Sequence, residues 1–316
     1  MLHTQTPKDE KVLAQLESMS VSASVLEDVQ DPWLQAQGIR LRMLRLDRIH
    51  PQISGNKWFK LKHNLRAAQA SGEGTLLSFG GAWSNHLLAL AEAGRLSGLR
   101  TIGVVRGEVV DTPSPVLQRC AEAGMVLHHV SRSDYRNKHE EDFIAALHAR
   151  FGSFHLIPEG GSNLDGVRGC ADIVPLLGLE EGAAPLMVAL ACGTAATLAG
   201  MLLALPVSAT AVGISVLKGE DTLSAQVEKW LQICGQTQPC AWQIDTRFHC
   251  GGYARRTPQL LDFIAGFEQR TGIPLEPVYT GKLMLGLYHL IEEGRWSPGS
   301  ELVAIHTGGL FPRGCQ

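Results

Sequence analysis

Apolar positions in this chain come in short unbroken runs. Each is followed by a turn rich in glycine, serine or asparagine, and then by a stretch with helical spacing. Thr75–Phe79 is one such run, followed by Gly80-Gly81-Ala82-Trp83-Ser84-Asn85 and an Ala/Leu-rich helix to about Ser97. Thr101–Val105, Met125–Val130 and Phe154–Pro158 repeat the theme, with helical stretches such as His139–Arg150 between them. Leu186–Ala191, Ala211–Leu217 and Leu302–His306 form a second series. Unbroken apolar strands alternating with helices predict parallel sheets, so the fold class is α/β with two doubly wound lobes. The larger lobe is expected to comprise residues 1–58 and 168–316, the smaller 59–167, with the site between them. Ligands of open α/β sheets sit at the carboxyl ends of strands, where the informative loops of this chain lie.

Composition narrows the function classes. With 316 residues, 45% hydrophobic, the chain can bury a large core. A formal charge of -3 and a pI near 6.5 give no basic field for nucleic acid. No residue from Ala183 to Val207 is charged. Yet Pro185, Gly193, Thr194, Thr197 and Pro206 read as a buried strand, a turn and a helix, so no membrane span is expected. The polar segment Met1–Lys11 lacks the apolar core of a signal peptide. Seven scattered cysteines with no C-x-x-C spacing predict reduced thiols and a cytoplasmic location. Twelve histidines without H-E-x-x-H or a zinc spacing predict no metal site.

Six segments carry candidate chemistry. In Ser54-Gly55-Asn56-Lys57-Trp58-Phe59-Lys60, Gly55 and Asn56 tolerate unusual backbone angles, and Lys60 follows Lys57 by one helical turn. A desolvated lysine beside another cation is less basic and suited to imine chemistry, though a surface turn with two solvated lysines fits the same residues. Cys192-Gly193-Thr194-Ala195-Ala196-Thr197 follows an apolar strand and opens a helix, presenting N–H groups and two hydroxyls to an anion. Close helix–sheet packing explains its small residues equally well. Ser84-Asn85-His86 stands at a strand end, where Ser84 is also a natural N-cap. Pro277-Val278-Tyr279-Thr280-Gly281-Lys282, His306-Thr307-Gly308-Gly309 and His249-Cys250-Gly251-Gly252-Tyr253 are polar turns. A tyrosine–threonine pair in such a turn can stack on a planar ring and offer a hydroxyl to a ring nitrogen. The dinucleotide fingerprint G-x-G-x-x-G is missing, which argues against a nicotinamide dehydrogenase.

In their order, these segments and Gly160-Gly161-Ser162-Asn163 resemble the pyridoxal-phosphate enzymes related to 1-aminocyclopropane-1-carboxylate deaminase and D-cysteine desulfhydrase. The resemblance runs from about Val25 to Gly309 and implies the tryptophan synthase β-like fold, pyridoxal 5'-phosphate as cofactor and a homodimer. It implies that Lys57 bonds the cofactor, while Lys60 and Gly193, Thr194, Ala195, Ala196 and Thr197 hold its phosphate. Asn85 would meet the ring oxygen, Thr280 the ring nitrogen, and Tyr279 the ring face. Ser84, Asn85, His86, Trp83 and Gly161 would bind a small amino acid, with Lys57, Tyr279, Ser84 and Tyr253 as catalytic groups. Ala195 and Ala196 depart from the family's glycine-rich spelling, and Trp83 stands where a smaller or polar residue is usual. Cations near Tyr279 are expected to lower its pKa and let it relay a proton. A neutral threonine at 280 is expected to leave the ring nitrogen largely unprotonated, which favours β-elimination from D-cysteine over ring-opening deamination. The alternatives are that deamination, classed with hydrolases rather than lyases, and a non-catalytic module binding a phosphorylated metabolite.

Overall fold

A computed structural model describes residues 25–50, 53–179, 186–219 and 222–311. The segment Met1–Lys11, Pro185 and Cys315 lie outside the described residues. Among the described residues ten strands form two sheets. They are β1 (Leu26–Asp28), β2 (Arg40–Arg45), β3 (Thr75–Gly80), β4 (Arg100–Arg106), β5 (Val126–Val130), β6 (His155–Ile157), β7 (Met187–Cys192), β8 (Thr210–Ser215), β9 (Ala241–Asp245) and β10 (Glu301–His306). The larger sheet runs β1-β2-β10-β7-β8-β9 and is parallel apart from β1. The smaller sheet, β5-β4-β3-β6, is wholly parallel. β3 is buried along its whole length, because helices cover both faces of a parallel sheet.

Strand order locates the cleft. In the larger sheet the chain winds outward through β7, β8 and β9 on one side, with β10 and β2 on the other, so the direction reverses between β10 and β7. In the smaller sheet it reverses between β3 and β6. Loops leaving those four strands border crevices at the carboxyl ends, where ligands bind in such sheets.

The expected boundaries at 58/59 and 167/168 fall inside the helices Asn56–Ala70 and Leu164–Ala171. These helices pack against each other closely enough that a Cβ at Gly169 would overlap the Phe59 carbonyl oxygen. A Cβ at Gly200, in the helix Ala196–Leu202, would overlap the Val167 carbonyl oxygen. One apolar core runs through this junction, joining Leu61, Leu65 and Leu76 to Val167, Leu198 and Met201.

Candidate active site

Gly55 precedes the helix Asn56–Ala70 with φ 74°, and a Cβ there would overlap the Thr307 carbonyl oxygen. Only glycine permits that approach, which presses the start of the helix onto the loop after β10. Asn56 N–H donates to the Thr307 carbonyl (3.3 Å), and its side-chain amide donates to Thr197 Oγ1 (2.9 Å). Asn56 thus ties the lysine turn to the loop after β7. Lys57 Nζ donates to Asn56 Oδ1 (3.0 Å), and Lys60 Nζ donates to the Gly160 carbonyl (3.1 Å) and Thr194 Oγ1 (3.2 Å). Among the described residues neither lysine has a carboxylate partner. Burial, with the charge of Lys60 beside it, pushes the Lys57 amine down to about 7, and burial also lowers Lys60.

The loop after β7 adapts to alanine. Ala195 takes φ 56°, a left-handed conformation in which glycine is the usual residue, and Ala196 N–H bonds the Thr194 carbonyl (2.5 Å). Ser162 Oγ donates to Thr194 Oγ1 (2.7 Å). A Cβ at Gly193 would stand 3.1 Å from the Tyr279 ring, so Gly193 is what lets that ring lie against the loop. Gly161 (φ 67°) is similarly close to the stem of Lys60 and to His86 Cε1.

Ser84 Oγ accepts from Leu87 N–H (3.2 Å), so it does cap the helix Asn85–Ser97. His86 is buried, with Nε2 on Ser78 Oγ (2.8 Å) and Nδ1 without a protein partner. Burial and the two lysines hold it neutral. Trp83 is 47% exposed at the rim. Arg106 lies near Gly81 and over the Tyr135 ring (5.7 Å), a rim contact that the strand-end motifs did not disclose.

On the opposite wall, Tyr253 and Tyr279 approach through their hydroxyls (3.5 Å) with rings edge to face. Lys282, buried in the helix Thr280–Glu292, donates to the Gly252 carbonyl (2.7 Å) and so fixes the loop bearing Tyr253. Tyr279 corrects an expectation: burial, with Tyr253 and nearby carboxylates, pushes its hydroxyl well above the ordinary range rather than lowering it. Thr280 is fully buried against Glu276, a carboxylate absent from the sequence-derived site. Its sequence signal is an acid four residues before a helix start, where side-chain capping is expected. Gly309 (φ 89°) brings this wall to Asn85, for a Cβ there would lie 3.1 Å from Asn85 Nδ2 and 3.2 Å from Glu276 Cγ.

The structure therefore brings Lys57, Lys60, Asn85, His86, Gly161, the Gly193–Thr197 turn, Tyr253, Tyr279 and Thr280 to one cleft, with Ser84 and Trp83 at its edge. Among the described residues no group of three or more His, Cys, Asp and Glu could hold a metal ion, and no helix is long and apolar enough to cross a membrane. The six described cysteines are unbonded.

The family model described as "Pyridoxal-phosphate dependent enzyme" matches residues 34–308. A Pyrococcus horikoshii protein provisionally named 1-aminocyclopropane-1-carboxylate deaminase is 26% identical over 264 residues, covering 82% of this chain and 81% of its own. The bifunctional D-cysteine desulfhydrase/1-aminocyclopropane-1-carboxylate deaminase, mitochondrial, of Arabidopsis thaliana is 27% identical over 293 residues, 87% of this chain and 73% of its own. A solved structure of an ACC deaminase homologue superposes with a TM-score of 0.77 at 24% identity, covering 97% of this chain and 96% of that one.

Proposed function

From the premise that this chain belongs to the pyridoxal-phosphate-dependent enzyme family, we propose that it catalyses β-elimination from D-cysteine or a related β-substituted amino acid. The cleft fits the cofactor on its own chemistry: the buried Lys60 and the half-buried Lys57 lack an anion, the Thr194 hydroxyl with Ser162 behind it stands beside Lys60, and Thr197 lies at the neighbouring helix start. When bound, pyridoxal phosphate supplies the electron sink for a carbanion beside the substrate carboxylate.

The protein's residues divide the remaining work. Lys60, Thr194, Thr197 and the backbone of Gly193, Ala195 and Ala196 would bind the phosphate, with Asn56 orienting Thr197. Lys57, its amine pulled down to about 7, would hold the cofactor's aldehyde end and carry the proton to and from the substrate Cα. With the cofactor bound, Asn85 would donate to its ring oxygen, Tyr279 would pack on the ring face, and Thr280 would meet the ring nitrogen. Ser84, Asn85, His86 and Gly161 bind the substrate carboxylate, and Trp83 closes the pocket above them. The Cα–H and Cβ–S bonds break. Water supplies the keto oxygen, and D-cysteine plus water becomes pyruvate, ammonia and hydrogen sulfide. A homodimer in the cytoplasm completes the proposal, supported by the resemblance and the unbonded cysteines.

Thr280 is the observation that carries the choice of reaction. A hydroxyl stabilises a protonated ring nitrogen less than a directly adjacent carboxylate, and losing thiolate demands less carbanion stabilisation than opening a cyclopropane. Side-by-side steady-state assays test it. D-Cysteine should give the larger kcat/KM; a larger value for 1-aminocyclopropane-1-carboxylate selects the deaminase alternative, and no turnover of any amino acid selects the binding module. Borohydride should fix a pyridoxyl group on Lys57, and fixation on Lys60 or Lys62 overturns the assignment.

A further inference from the structure

Glu276 is 6% exposed and makes an unusual number of bonds to its own chain. Oε1 accepts from the N–H groups of Tyr279 (2.7 Å) and Thr280 (2.6 Å), and Oε2 accepts from Val278 N–H (2.6 Å). Three short bonds from the start of the helix Thr280–Glu292 favour an ionised carboxylate, while burial opposes it and pushes the carboxyl up overall. No cation is ion-paired with Glu276 among the described residues; Lys57 and Lys282 are the cations whose fields couple to it. Asn85 and the Tyr279 hydroxyl are the other polar groups of this wall.

The Thr280 hydroxyl has one hydrogen and two lone pairs. One lone pair accepts the backbone N–H of Glu276 (2.9 Å), and Oε1 of the same residue stands 3.3 Å away. Against an ionised carboxylate the hydrogen points to Oε1 or to the Glu276 backbone carbonyl (3.4 Å), the charged oxygen being the stronger acceptor. The second lone pair is then left as the acceptor for whatever group meets Thr280, on the reading above the ring nitrogen. A ring nitrogen can meet an acceptor only by carrying a proton. If Glu276 is protonated, the hydroxyl can reverse and donate to a bare nitrogen.

We infer that Glu276, acting through the Thr280 hydroxyl, is the positioning residue that decides whether the cofactor's ring nitrogen carries a proton, an inference that rests on the reading above that Thr280 faces that nitrogen. Moving the shared proton from carboxylic acid to nitrogen breaks one Oε–H and one Oγ1–H bond, and forms one Oγ1–H and one N–H bond. No further reactant is needed. The ring nitrogen is then not the largely unprotonated group expected from threonine alone. Its proton is shared with a carboxylate held one hydroxyl away, a weaker partner than a carboxylate in direct contact.

The test loads the enzyme with pyridoxal phosphate labelled with 15N in the ring and reads the nitrogen shift by NMR, with cofactor Kd and borohydride fixation in parallel. E276Q keeps one acceptor oxygen for Tyr279 and Thr280 N–H, gives up the one that takes Val278 N–H and cannot hold the charge, and should lower the protonated fraction by about tenfold. T280V should do the same, and E276Q added to T280V should change little more. A helix-capping role alone would lower the melting temperature of E276Q and leave its nitrogen shift at the wild-type value, which overturns the inference. An undiminished effect of E276Q in the T280V background also overturns it, because the hydroxyl is then not the path. Should E276Q not retain cofactor, T280S, keeping the wild-type shift, and T280V, losing it, support the inference; equal shifts in both overturn it. Failure of the underlying reading looks different: no pyridoxyl group is fixed on Lys57 in the wild type, and both fall together.

Discussion

At the start of the helix Asn56–Ala70 one buried and one half-buried lysine have only neutral oxygens against them, whereas at the start of the helix Thr280–Glu292 a carboxylate lies buried with only N–H and hydroxyl groups against it. Removing an ion from water costs several kcal/mol. The dipole of a helix start offsets only about 0.3–1 kcal/mol of that for the carboxylate, and for the lysines it adds to the cost. Each wall is therefore under-compensated in the protein alone, and with opposite sign. A ligand with an anionic phosphate at one end and a protonatable ring nitrogen at the other relieves both deficits. The difference teaches that burial can leave two walls with opposite charge deficits, which one molecule with complementary ends would relieve.

Breaking the cationic wall should have the largest effect. Lys60→Met removes a charge-assisted phosphate contact worth roughly 1.5–3 kcal/mol, weakening cofactor binding by about one to two decades in an equilibrium titration. The same change should leave the cofactor-free protein as stable as the wild type or more so, because an unpaired buried charge is gone. Thermal melts of both forms check this pair of opposite signs. A destabilised cofactor-free variant would show that Lys60 is compensated by the protein itself.

The pH dependence of Lys57 sharpens the comparison further. Its folded value of about 7 lies below the ordinary 10.5, so the native state binds fewer protons than the unfolded chain between those limits. Stability of the cofactor-free protein should fall as pH drops through that window and level off below about 7. Labelling of Lys57 by a neutral aldehyde, fixed with borohydride, should rise about tenfold from pH 6 to 8 and then level off. Continued climbing above pH 8 would make Lys57 an ordinary lysine.

Tyr279 spans the two walls, and its effect should be the smallest. With its hydroxyl pushed up by burial it keeps its proton, so Tyr279→Phe should cost one hydrogen bond, about three- to tenfold in turnover, with cofactor retained. A loss of about a hundredfold or more would restore it as a proton carrier.

Much of the fold was legible because buried parallel strands announce themselves as apolar runs. β3, β4, β7, β8 and β10 lie within a residue or two of their expected positions. β2 (RLRMLR) escaped notice because arginines interrupt it; Arg45 is buried only because Glu27 and Asp47 pair with it. β9 (AWQID) lies at the sheet edge with a half-polar sequence, and β1 has three residues. In the site, Lys57, Lys60 and the glycine turns stood out by residue type and spacing. Asn56 as a tie to Thr197, Lys282 as the anchor of the Tyr253 loop and Glu276 behind Thr280 did not.

The reason lies in how each property arises. The sequence by itself determined where strands and turns form, and that Gly55 can adopt a backbone angle closed to other residues, because apolar periodicity and Cβ sterics act within a few residues. Tertiary structure alone decided the charges. The same lysine, tyrosine and glutamate would titrate ordinarily in an open turn. Here the Lys57 amine is pulled toward neutrality, the Tyr279 hydroxyl holds its proton, and burial pushes the Glu276 carboxyl up. Desolvation belongs to the surroundings of a group, and those surroundings are assembled from segments as far apart as residues 55 and 307.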